Sequence, residues 1–88
     1  MEFKKLANPW GYNGDWYESR QDFDGERELT VLVKVYDEPS HFGINEGRIS
    51  KLEIRAGKEI IANYDRGWDI PVPEEAQLLY ESVLAYFE

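Results

Sequence analysis

The feature that most constrains the fold is an alternating apolar pattern within residues 26–37. Leu29, Val31, Val33 and Val35 occupy every second position of this segment. Successive side chains of a β-strand point to opposite faces of a sheet, so the spacing predicts a strand with one apolar face. A single strand cannot bury that face alone. The rest of the chain must therefore supply more strands and a layer that covers them.

Three further strands are predicted around this one. Residues 15–23 form the strand that precedes it, and Asp24 and Gly25 predict a hairpin turn because both residue types tolerate positive φ. Residues 48–55 and 58–65 form the third and fourth strands. Consecutive strands with short connections favour an antiparallel meander.

The register of the first hairpin is open between two arrangements. A two-residue turn places Asp22 opposite Arg27, a favourable pair, but turns charged residues such as Arg20 onto the valine face. A three-residue loop with a glycine bulge instead places Tyr17 opposite Val31. We favour the bulged arrangement because it keeps charge out of the core.

A helix is predicted to follow the strands. Residues 69–75 open it, because prolines and acidic residues suit the first turn of a helix. Apolar residues then recur at helical spacing: Ala76, Leu79, Tyr80, Val83 and Phe87. We expect an irregular N-terminal arm over residues 1–14 and a single α+β domain over residues 15–88. In that domain, a four-stranded antiparallel sheet carries the C-terminal helix on one face (ββββα).

Composition narrows the classes of function. The chain has 88 residues with 18 acidic and 10 basic side chains, a net charge of −8, and no cysteine. An acidic chain is repelled by nucleic acids and anionic lipids, so neither is expected as a direct partner. Without cysteine there is neither a disulfide nor a thiolate metal site, and we expect no cofactor. No signal peptide or membrane-length apolar run is present, which favours the cytoplasm.

Residues 38–47 form an unusually long connection between the second and third strands. Gly43 and Gly47 are expected to adopt dihedral angles that other residues avoid. Phe42 and Ile44 are expected to fold back and plug the core. This loop holds much of the chain's unusual chemistry.

Antiparallel geometry places the loops at residues 38–48 and 65–71 at the same end of the sheet. The candidate binding residues of that end are His41, Phe42, Arg48, Asp65, Arg66, Trp68 and Asp69. In a structural interpretation, Arg48 and Arg66 bind nearby aspartates and Trp68 caps the core. In a functional interpretation, the same arginine and tryptophan side chains form a recognition surface for a protein partner.

An acidic surface is predicted on the first hairpin. Residues 15–28 contain six acids against two bases, a net charge of −4. The acids are Asp15, Glu18, Asp22, Asp24, Glu26 and Glu28. Such charges discourage aggregation through an exposed edge strand. The alternative is an acidic inhibitor or nucleic-acid mimic that docks on a basic partner.

The sequence supplies no convincing catalytic set. His41 is the only histidine, and its neighbour Ser40 is poorly placed to be activated by it. We therefore expect a protein that is not an enzyme, with a small enzyme or metal-binding domain as the weakest alternative. A monomer is expected, or a weak homodimer formed through the edge of the fourth strand.

Three short motifs resemble a known family. They are FGI at residues 42–44, GRISKL at 47–52 and YDRGWD at 64–69, and VYDEPS at 35–40 also fits. The resemblance, over roughly residues 30–75, is to small acidic proteins of Gram-positive bacteria, their phages and mobile elements, grouped as a domain of unknown function. It implies no catalytic activity. It implies a mobile-element setting, in which small acidic proteins inhibit host defences.

Overall fold

A computed structural model describes residues 2–7, 14–22, 25 and 27–88 of the chain. It forms one antiparallel sheet whose strands lie side by side in the order of the sequence. The strands are β1 (Lys4–Lys5), β2 (Asp15–Asp22), β3 (Glu28–Val35), β4 (Ile49–Ala56), β5 (Glu59–Asp65) and β6 (Trp68–Ile70), followed by helix α1 (Gln77–Phe87). The antiparallel sheet and the C-terminal helix are confirmed. The predicted strand number is wrong, because the sheet has six strands rather than four.

The two additional strands are the short outer ones. β1 has two residues and β6 has three, too few for alternation to show in the sequence. β1 lies within the segment predicted to be irregular and pairs with β2, and the N–H of Leu6 extends the pairing to the carbonyl of Trp16 at 2.8 Å. β6 covers the outer side of β5. The strand predicted to be an exposed edge is therefore an inner strand.

The register of the first hairpin differs from both predicted arrangements. Asp22 pairs with Glu28 and Tyr17 pairs with Val33, so the loop spans residues 23–27. The bulged arrangement correctly assigned Tyr17 to the valine face, but its register is two residues out. Phe23, the predicted end of the strand, and Asp24 of the predicted turn lie outside the described residues.

The core lies between the sheet and α1. The alternating pattern of β3 is confirmed, and Val31 and Val33 are completely buried. Neighbouring strands contribute Leu52 and Ile54 from β4 and Ala62 and Tyr64 from β5, and the helix contributes Val83 and Phe87. The opposite face of the sheet carries polar and mixed side chains, as expected for a sheet covered on one side.

The helix begins later than predicted. Glu74–Ala76 form a single 3₁₀ turn, and α1 starts at Gln77. Pro73 is extended (φ −70°, ψ 159°). A residue that precedes proline avoids the helical region, so Pro71 and Pro73 disfavour helical conformation at Ile70 and Val72. Residues 71–73 connect the end of β6 to the 3₁₀ turn without helical structure.

Aromatic contacts show how α1 crosses the sheet. Tyr80, near its start, contacts Trp68 of β6 with a ring-centroid distance of 5.6 Å. Phe87, at its end, contacts Tyr17 of β2 at 5.1 Å and Phe3 at 4.8 Å. The helix therefore runs diagonally from one edge of the sheet to the other. Within the part of the chain that the structure describes, no helix is long and apolar enough to cross a membrane.

Candidate functional site

The loop between β3 and β4 is shaped by close approach of its two glycines. Gly43 and Gly47 have φ of −77° and −97°, ordinary values for any residue, so the predicted reason for these glycines is wrong. A Cβ atom on Gly43 would lie 2.0 Å from the carbonyl oxygen of Gly47. Positive φ occurs instead at Asn45 and Glu46, at 53° and 57°. Glycine is needed at position 43 because there is no space for a side chain.

The same loop buries one apolar side chain and exposes another. Ile44 is 2% exposed and plugs the core as predicted. Phe42 is 60% exposed, so its predicted role as a plug is wrong. Its backbone is nevertheless fixed, because its N–H donates to Ser40 Oγ at 3.0 Å and its carbonyl accepts from the Tyr64 hydroxyl at 2.9 Å. An aromatic ring is thus held in solvent on a rigid support.

A groove of about 620 Å³ lies beside this ring. We call it the loop-end groove and define it by its principal lining residues: Lys34, Tyr36, Phe42, Ser50, Lys51 and Arg66. Asp37 and Glu38 also line it. Its described lining residues thus include three cations and two acids, and one of the cations, Lys51, lies beside Asp65.

The regular β3–β4 ladder places the two lysines of the groove opposite each other, next to a β-bulge. Val35 pairs with Ile49, whereas Lys34 pairs with Lys51, so Ser50 is the extra residue of β4. Like charges directly opposite each other on neighbouring strands are destabilising. The Lys51 ammonium lies 3.8 Å from Asp65 Oδ1, whereas that of Lys34 lies 5.3 Å from the ring centroid of Tyr36.

Arg66 forms the third basic side of the groove. It occupies the turn between β5 and β6 with φ of 63°, which few residues other than glycine adopt. Its guanidinium carbon lies 5.7 Å from the ring centroid of Phe42. In the described regions it forms no salt bridge, so the predicted pairing with Asp65 or Asp69 is wrong.

Arg48 belongs to a different contact. Its guanidinium donates two hydrogen bonds to the carbonyl oxygen of Phe87, with Nε at 3.2 Å, and its backbone N–H donates to Glu88 Oε1 at 2.8 Å. A cation at the end of a helix satisfies a terminal carbonyl and complements the helix dipole. The structural interpretation is therefore correct for Arg48, although the predicted aspartate partners are not.

Arg48→Met is expected to lower the free energy of unfolding by about 1–2 kcal/mol, because partly buried hydrogen bonds from a charged donor to the Phe87 carbonyl are lost. The stem of the side chain is kept, so packing changes little. Urea unfolding followed by circular dichroism measures the effect. Arg55→Met is the control, since Arg55 is exposed and contacts only Glu53 two residues away, at 2.7 Å. An equal loss in both variants would contradict the assignment.

The other predicted residues are not among the described residues that line the groove. Trp68 is 42% exposed and packs edge-on against Tyr64, with centroids 5.0 Å apart. Asp69 is exposed in the middle of β6. His41 is exposed in the loop, with Nδ1 3.9 Å from Glu46 Oε2. Phe42 and Trp68 both contact Tyr64, so the two predicted loops do meet at one end of the sheet.

Tyr80 adjoins this aromatic group from the helix. Burial, with a smaller contribution from Tyr64, raises the pKa of the Tyr80 phenol above its usual value. Its hydroxyl is therefore protonated at neutral pH. Tyr64, Trp68 and Tyr80 form a packed aromatic group that supports the loop end, where the Tyr64 hydroxyl binds the Phe42 carbonyl.

The described acids of the predicted acidic surface are divided between two faces. Asp15 lies 3.6 Å from Lys5 Nζ, and Glu18 lies 3.2 Å from Arg20 Nε. Asp22 and Glu28 stand directly opposite each other near the hairpin loop. Asp24 and Glu26 lie outside the described residues. Among the residues that are described, no three acidic or histidine side chains come close enough to hold a metal ion.

Sequence reasoning missed Lys34 and Tyr36 as site residues. The signal was present, since both occupy even positions of the segment whose odd positions form the core. Even positions must face away from the helix. Lys51 was missed as well, because no pattern in the sequence gives the β3–β4 register that sets it opposite Lys34.

Comparison with known proteins gives a family but no function. No curated protein and no solved structure matched the chain. The family model described as a domain of unknown function, DUF7678, matched residues 15–88, which comprise β2 to β6 and helix α1. The chain therefore belongs to the DUF7678 family of domains of unknown function.

Proposed function

We propose that this protein is a non-enzymatic domain that binds a protein partner through the end of the sheet formed by residues 38–48 and 65–71. The observation that carries the proposal is the exposed ring of Phe42. It is 60% exposed, yet its backbone is fixed on both sides by hydrogen bonds. An aromatic side chain with two rotatable bonds on a fixed backbone loses little conformational entropy on binding, which suits it as an interface anchor.

The neighbouring arginine supports the same function. Arg66 stacks against Phe42 and keeps a backbone conformation that costs energy for a residue with a side chain. Its guanidinium makes no structural ion pair with the described residues, in contrast with Arg48, which binds the helix end. Aromatic and arginine side chains are enriched at the energetic centres of interfaces. We propose that a protein partner buries Phe42 and Arg66 when it binds.

An acidic inhibitor or nucleic-acid mimic is the second candidate. A mimic needs a row of acids on one face. Of the four described acids, Glu18 is ion-paired with Arg20, whereas Asp15 is ion-paired with Lys5 and lies on the helix-covered face of β2. Only Asp22 and Glu28 form an adjacent acidic pair on the open face. The resemblance to proteins of phages and mobile elements supports this second candidate. We propose the cytoplasm as the location for either function.

Affinity capture with the tagged protein in a lysate of the organism that encodes it tests the proposal. A partner held by the unaltered protein is expected to be lost, by about tenfold or more, in Phe42→Ala and in Arg66→Gln, since hot-spot truncations cost 2 kcal/mol or more. Leu78→Ala and Arg55→Gln are matched controls, because Leu78 is 80% exposed on the helix and Arg55 lies on β4 outside the groove lining. Both controls are expected to retain the partner.

Two results would reject the proposal. One is retention of every captured protein by Phe42→Ala and Arg66→Gln while circular dichroism shows an intact fold. The other is an equal loss in the controls, which would place the contact elsewhere on the surface. Loss only after charge reversal at Asp22 and Glu28 would favour the acidic mimic instead.

A further inference from the structure

We infer that the loop-end groove recognises an anionic group, a carboxylate or a phosphate, carried on a peptide segment of the protein partner. This inference rests on the proposed function and adds the chemistry of the ligand. It starts from the placement of three cations on the wall of one groove, at Lys34, Lys51 and Arg66. The chain has only 10 basic residues against 18 acidic ones, so this grouping runs against its overall charge.

The lysine pair is the first argument. Lys34 and Lys51 are directly opposite each other on neighbouring strands, as the last pair of the regular β3–β4 ladder before the bulge at Ser50. Two ammonium groups in this position repel each other. Asp65 lies 3.8 Å from Lys51, in a pair whose side chains are 40% and 50% exposed. Among the described residues, Lys34 has no carboxylate partner, and its ammonium lies over the ring of Tyr36. A bound anion would offset the repulsion that the sheet leaves in place.

Arg66 is the second argument. Its guanidinium lies over the Phe42 ring at the groove wall, and its donors bind no carboxylate of the described residues. A planar guanidinium with free donors matches carboxylate and phosphate oxygens in a bidentate arrangement. The exposed ring of Phe42 lies at the same wall, where an apolar residue next to the anionic group would contact it.

The acids of the groove define the kind of ligand further. Asp37 and Glu38 line the same groove, and the whole chain carries a net charge of −8. A densely acidic partner would therefore be repelled at long range, and so would a nucleic acid. A peptide with one anionic side chain among neutral residues can bind the three cations with much less long-range repulsion from the acidic chain. The groove thus suits a sparsely charged peptide with a single acidic or phosphorylated residue.

Three otherwise identical ten-residue peptides test the inference. Each has a neutral sequence with one phenylalanine, and the preceding residue is serine, phosphoserine or glutamate. Titration into the ¹⁵N-labelled full-length protein is followed by amide chemical shifts. We expect the phosphoserine or the glutamate peptide to bind at least about tenfold more tightly than the serine peptide, the value of one charge-assisted hydrogen bond. The difference between these two peptides distinguishes the sources of the anion.

The double variant Lys34→Gln/Lys51→Gln provides the residue-level test. It removes a repulsive pair, so it is expected to fold, and its amide spectrum verifies this. The affinity of the double variant for the anionic peptide should fall about tenfold or more. Lys58→Gln, in the turn at the opposite end of the sheet, should leave that affinity unchanged. Equal binding of all three peptides, no binding of any peptide, or unchanged binding in the double variant would overturn the inference. If Phe42→Ala still abolishes partner capture, the proposed function survives that result.

Discussion

Gly43→Ala is expected to destabilise the domain by about 3 kcal/mol, at the upper end of the cost of overpacking. A Cβ atom at this position would lie 2.0 Å from the Gly47 carbonyl oxygen. That oxygen cannot simply move aside, because it accepts the N–H of Ser40 at 3.1 Å. The N–H of Gly47 is in turn bound to the Ile44 carbonyl at 2.9 Å. The alanine must therefore break the loop or displace the buried Ile44.

Gly67→Ala is the matched control for this substitution. Gly67 lies in the turn before β6, and no atom comes within 4 Å of a Cβ built on it. Its φ lies outside the left-handed range, so alanine is expected to change the free energy of unfolding by less than about 0.5 kcal/mol. Urea unfolding of the two variants measures the difference between their free energies of unfolding, provided that both show the same dependence on urea concentration. Comparable stability of the two variants would show that the loop does not close as described.

Phe87→Ala is expected to have the largest effect of all, a loss of about 3–5 kcal/mol. Phe87 is 6% exposed and contacts Phe3 and Tyr17 through ring pairs with centroids 4.8 and 5.1 Å apart. It therefore holds the end of the helix against β2 and the segment beside β1. A domain of this size has a total stability of only about 5–10 kcal/mol. The variant should be at least partly unfolded at 37 °C.

Leu78→Ala on the same helix provides the comparison. Leu78 is 80% exposed, so its truncation is expected to change stability by less than about 0.5 kcal/mol. Thermal unfolding by circular dichroism compares the two midpoints. Similar losses in both variants would mean that α1 covers the sheet with a different face.

The main architecture could be predicted because its signals are strong and local. The alternation of Leu29 to Val35 allows only a strand with one buried face, and that face is buried as expected. The helical spacing of Val83 and Phe87 predicts the layer that covers it. Both signals extend over many residues, and extended periodicity is the part of a sequence that is read most reliably.

The missed features depend on geometry that no local pattern carries. β1 and β6 are formed because neighbouring backbone offers hydrogen-bond partners, not because their residues alternate. A proline can begin a helix, but it also favours an extended conformation in the residue before it. Pro73 is itself extended, and α1 begins only at Gln77. The glycines at 43 and 47 indicate positive φ or close approach equally well. Only coordinates show that close approach is the reason.

The candidate site was predictable only in outline. Antiparallel geometry correctly brought Phe42 and Arg66 together, because the loops after β3 and β5 must lie at one end of the sheet. It gave no indication that Arg48 binds the helix end, a contact between residues 39 positions apart. The two lysines of the groove face each other because of the register between β3 and β4. Such registers are set by packing rather than by composition.

The central claim is that the ring of Phe42 serves recognition rather than stability, and one paired measurement on Phe42→Ala tests it most directly. Its free energy of unfolding and its retention of the captured partner are determined on the same preparation. We predict a stability within about 0.5 kcal/mol of the unaltered protein, as for other exposed side chains, together with at least a tenfold loss of the partner. A loss of stability with the partner retained would contradict the claim and make Phe42 a structural residue.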